Sequence, residues 1–154
     1  MTCDAIAAAS MIWLAALGGP VAPPSAILTV SATSQSALAS EALFAGIISR
    51  AQGLNGKVSA LKGKPIPPGA LIELGAGITE LADLDMQGHR LLAQRGTDGD
   101  LKCILRGIAE DLPIKLKAVE SSPDGAKRDA ALTDLGYLLR DNVEVITAPP
   151  APEV

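Results

Sequence analysis

Beyond residue 36 the apolar residues return at three- and four-residue steps, the period of helices that hide one face from water. Two such stripes follow one another between residues 96 and 146. Ile104, Leu105, Ile108, Leu112, Leu116 and Val119 form the first, and Leu132, Leu135, Leu138, Leu139, Val143 and Ile146 the second. Between them Ser121-Ser122-Pro123-Asp124 offers an N-cap hydroxyl, a proline tolerated in a first turn and an acid suited to the positive end of a helix. The pattern predicts a helical hairpin over 100–120 and 123–146. Pro113 falls inside the first stripe, which resumes beyond it, so a kink is expected there and not a break.

Two further helices precede the hairpin. Leu43, Phe44, Ile47, Ile48, Ala51, Leu54, Val58 and Leu61 predict one over 36–61, interrupted near Asn55-Gly56. Gly63-Lys64-Pro65-Ile66-Pro67-Pro68 then forbids helix, its last proline suiting the first position of the next element. Leu71, Leu74, Ile78, Leu81, Leu84, Leu91 and Leu92 predict the following helix over 69–95. Thr97 with Asp100 resembles a capping box, and Asp98 is an alternative cap for the helix that begins the hairpin. Four rods of similar length joined by short turns define the expected fold class, all-α, as an up-down-up-down four-helix bundle. A small α/β fold is the alternative, because Val143-Glu144-Val145-Ile146-Thr147 alternates as a strand does and Leu71 to Leu74 is a second strand candidate.

The ends differ from the middle. Residues 5–19, AIAAASMIWLAALGG, are an unbroken run of apolar and small residues ahead of Pro20, Pro23 and Pro24. It falls short of the about 20 residues that span a bilayer and matches the apolar region of a signal peptide. The start, Met1-Thr2-Cys3-Asp4, carries an acid where such signals carry a base. The expected layout is a signal peptide or apolar segment over 1–26, a Pro-, Ser- and Thr-rich arm over 27–35, the bundle over 36–146 and a Pro-rich disordered tail over 147–154. Ile27-Leu28-Thr29-Val30 in the arm is a short strand candidate. Export to the periplasm or beyond follows as the expectation. A cytoplasmic protein with the run packed as a helix, or one held close to a membrane by it, are the alternatives.

Composition narrows the picture. Trp13, Phe44 and Tyr137 are the only aromatics in 154 residues, so the core is aliphatic. A net charge of −4 without a run of Lys or Arg argues against a nucleic-acid partner. Cys3 and Cys103 form no C-x-x-C, which removes zinc-ribbon, thioredoxin-type and covalent haem motifs; Cys103, beside the apolar stripe, reads as a small buried residue and not a nucleophile.

Candidate chemistry is thin. Ala70-Leu71-Ile72-Glu73-Leu74-Gly75-Ala76-Gly77 resembles the first motif of the Rossmann-like methyltransferases, a strand ending in a glycine loop. That resemblance implies an S-adenosylmethionine-binding domain with Gly75 and Gly77 against the cofactor. Ile78-Thr79 stands where that family usually has another glycine, and no strand ending in an acid follows about twenty residues on. His89, the one histidine, lies three residues after Met86 and is the candidate ligand for a haem or small-ligand carrier, against a reading as a rim histidine. No metal-ligand spacing accompanies it. Glu80, Asp83, Asp85, Glu110 and Asp111 read as solvated acids, and no serine stands in a nucleophile elbow. Lys115, Lys117, Lys127 and Arg128 read as a wet basic tip. With no catalytic constellation, no cofactor and no metal in view, the expected role is binding: an exported accessory subunit of an envelope-associated complex whose partner is another protein.

Overall fold

A computed structural model describes residues 37–67, 69–96, 99–122 and 125–148, which belong to one compact unit. A 3₁₀ turn, Ala37–Ser40, leads into helix α1 (Ala42–Leu61), followed by α2 (Ala70–Arg95), α3 (Gly99–Ser121) and α4 (Ala126–Thr147). The all-α reading holds: no strand occurs among the described residues. The α/β alternative falls, because residues 71–74 lie in α2 and 143–147 in α4. Residues 1–36, Pro68, Thr97, Asp98, Pro123, Asp124 and 149–154 lie outside the described residues. With them go the signal-peptide, arm, strand and tail expectations and several proposed caps.

The chain runs up, down, up and down. Leu54 of α1 meets Gly77 of α2 while Phe44 and Ile47 meet Gly88, so the two helices are antiparallel. Gly75 faces Leu116 and Gly88 faces Leu105, which makes α2 and α3 antiparallel as well. Each helix packs on its neighbours in the order α1, α2, α3, α4 and back to α1, leaving α1 opposite α3 and α2 opposite α4 across the core.

The buried positions explain the packing. Phe44, Ile47, Ala51, Leu54 and Val58 of α1 step by three and four residues, as do Leu132, Leu135, Leu139 and Ile146 of α4 once Asn142 is counted. Such a seam suits the shallow crossing of left-handed bundles, and an aliphatic core fills it.

Local chemistry departs from expectation at the ends and breaks. α1 runs unbroken through Asn55-Gly56, because the buried stripe continues through Leu54 and Val58 and outweighs the low helix propensity of glycine. α3 runs through Pro113 without splitting, as expected from the stripe on either side. Ser122 does not cap α4; its hydroxyl donates to the Ala118 carbonyl at 2.7 Å and closes α3, and Arg128 from α4 donates to the Ser122 carbonyl. α4 starts after Gly125, whose φ of 90° and ψ of −147° suit glycine alone. α2 ends on Gly96 in the left-handed region, its N–H returning to Leu92 and Ala93.

Candidate binding groove and polar centre

Where α1 and α2 run side by side their packing is the least extensive of the four neighbouring pairs, and a groove of about 650 Å³ opens between them. Its lining is small: Gly46 and Gly53 come from α1 and Ala76 and Gly77 from α2, with the buried Leu54 of α1 seated on Gly77. A Cβ added at Gly46 or Gly53 would meet nothing within 4 Å. The rim is charged in two signs. Arg50 pairs with Glu80, and Lys57 approaches Glu73 at 3.9 Å, so both pairs bridge the two helices. All four side chains are exposed, which makes the bridges weak and replaceable.

The motif glycines lie within the helix. A Cβ on Gly77 would sit 2.6 Å from Leu54 Cδ2, so this glycine admits α1, whereas a Cβ on Gly75 would make only an ordinary contact, 3.5 Å, with Leu116 of α3. The strand and loop that the methyltransferase-like reading requires are replaced by one continuous helix. His89 is half-buried on α2, and its Nδ1–H donates to the Lys102 carbonyl of α3 at 2.7 Å. Since a carbonyl only accepts, that bond places a proton on Nδ1. Met86 is half-buried one turn earlier. Among the described residues no three His, Cys, Asp or Glu side chains gather as a metal site. Cys103 is half-buried beside the apolar stripe of α3, and Cys3 lies outside the described residues.

Of the acids read as solvated, Glu80, Asp83, Glu110 and Asp111 are exposed, but Asp85 is fully buried. This is the clearest correction. Asp85 occupies the slot between Leu81 and Gly88 in the buried seam of α2, and Asn142 the matching slot between Leu139 and Ile146 in α4. Asn142 Nδ2 donates to Asp85 Oδ2 at 2.8 Å, across the diagonal of the bundle. Burial pushes the Asp85 carboxyl up to about 7, against the opposing pull of the Asn142 amide. Of the basic tip, Lys117 and Lys127 are exposed as expected, and Lys115 approaches Asp134 at 3.8 Å.

Compared with protein-family models, with curated proteins and with solved structures, the chain matches none. Among the described residues no helix is long and apolar enough to cross a membrane.

Proposed function

We propose that the protein is an exported, non-catalytic accessory subunit of an envelope-associated complex, and that the groove between α1 and α2 holds a segment of a partner protein. The groove is the observation that carries this reading. Gly46 and Gly53, around which an added side chain would meet open space, leave room for an incoming chain beside Leu54 and Gly77. The rim pairs Arg50–Glu80 and Lys57–Glu73 are exposed enough to exchange their partners for charges on an incoming chain. The apolar run 5–19 supports export by its length.

The test has two arms. N-terminal sequencing of protein from the envelope fraction of its native host is expected to give a start beyond Gly19, whereas Met1 on a cytoplasmic species removes the export claim. Gly53→Trp fills the groove at a position with open space around it. It is expected to leave the circular-dichroism spectrum and Tm unchanged while releasing the protein from the complex with which the wild type co-purifies. Undiminished co-purification of a folded Gly53→Trp overturns the groove assignment.

A further inference from the structure

Asp85 and Asn142 are the only polar side chains in the buried core among the described residues, and they come from helices that face each other diagonally. The bond from Asn142 Nδ2 to Asp85 Oδ2 uses one donor and one acceptor. Asp85 Oδ1 and Asn142 Oδ1 are both buried and both without a hydrogen-bond partner. As a carboxylate beside an amide oxygen, the pair would hold two acceptors and no donor between them, at the full cost of desolvating each. One proton resolves both deficits. A carboxylic acid is a donor at one oxygen and an acceptor at the other, and a primary amide is its complement.

We propose that folded Asp85 carries a proton on Oδ1, donated to Asn142 Oδ1 to close an acid–amide pair across the core, and that this proton makes the bundle less stable as the pH rises. Asn55 of α1, whose Oδ1 is also buried, packs against Gly136, six residues before Asn142 on α4, and the buried side chains around the pair itself are apolar. At the core α1 presents Phe44, Ile47, Ala51 and Leu54, α3 presents Leu105, Ile108 and Leu112, and α4 presents Leu135, Leu139 and Ile146, all apolar. Of the charged groups on these helices, Arg50 pairs with Glu80 and Arg106 approaches Glu110 away from the core, while Arg140 lies over the Tyr137 ring. Lys102 of α3 offers its backbone carbonyl to His89, one turn beyond Asp85 on α2, and Asp141 and Glu144 beside Asn142 on α4 are outside the buried set. The raised affinity of Asp85 for a proton has burial as its largest cause and no charged neighbour among its causes.

The sign follows from linkage. Between the ordinary carboxyl range and about pH 7 the folded chain holds one proton more than the unfolded chain, so stability falls as the pH climbs through that window and levels off above it. Urea unfolding of the full chain at pH steps from about 5 to 8 is expected to show the folded-to-unfolded ratio of the wild type falling close to tenfold per pH unit at the lower end. Asp85→Asn keeps the shape, cannot ionise and is expected to lose this one-proton slope. Superimposable slopes for wild type and variant overturn the proposal. If Asp85→Asn does not fold, ¹³C NMR of the aspartate carboxyls in the wild type decides. One carboxyl in contact with the Asn142 amide protons is expected to titrate near neutrality, and titration of all aspartates in the ordinary acid range overturns the proposal.

Discussion

Glu41 and Asp85 are both carboxyls bound by nitrogen donors from another helix, and their surroundings drive them in opposite directions. Arg95 grips Glu41 with two bonds, at 2.9 and 2.7 Å, tying the start of α1 to the end of α2 at the solvent-accessible rim. The bond to that guanidinium holds the Glu41 carboxyl below its usual range. Asp85 has a neutral amide for a partner and is fully buried, and desolvation prevails. The same functional group therefore stabilises the fold as an anion at the rim and as an acid in the centre. Their pH limbs are opposite too: the Glu41 contribution is lost as the pH falls through its depressed folded value, the Asp85 contribution as the pH rises towards about 7.

Breaking the central pair should have the largest effect. Asn142→Val deprives Asp85 of its one partner and is expected to destabilise the bundle by about 1–3 kcal/mol, read as a lower urea midpoint at unchanged m. Removing both polar groups sharpens the contrast: Asp85→Val with Asn142→Val is expected to recover most of the stability lost in Asn142→Val, because replacing both partners of a buried hydrogen bond by apolar groups of similar shape leaves no polar atom unpaired. If the double variant is less stable than Asn142→Val alone, the pair contributes favourably as a unit and the account of its desolvation is wrong. The smallest effect belongs to the rim. Arg95→Ala is expected to lower Tm far less than Asn142→Val, with the difference from wild type shrinking in high salt, whereas the Asn142→Val deficit persists.

The helices were legible because each carries enough aliphatic positions at the right spacing to outvote local breakers. Gly53 and Gly56 lost to Leu54 and Val58, and the β-like alternation of Val143 to Thr147 lost to a stripe that ends at Ile146. The centre was harder to read. Asp85 and Asn142 stand in seam slots that the three-and-four count reaches, but a reading that enrols only apolar residues steps over them and takes Leu84 and Val143 on the flank instead. Counting the slots first and the chemistry second would have found both. The groove had no signal of its own, because the separation of α1 from α2 depends on side chains from two distant stretches: Gly77 could be seen as small, but not that it would lie against Leu54 while Gly46 and Gly53 met open space.

The left-handed close of α2 at Gly96 has a stereochemical consequence. Its φ of 67° and ψ of 17° are the mirror image of ordinary helical torsions, and the residue is exposed. The enantiomer of alanine takes those angles as readily as its natural form takes the helix, and it would retain the N–H that reaches Leu92 and Ala93. At that corner the fold takes a handedness that the one achiral amino acid of ribosomal synthesis adopts without the strain an L side chain would add.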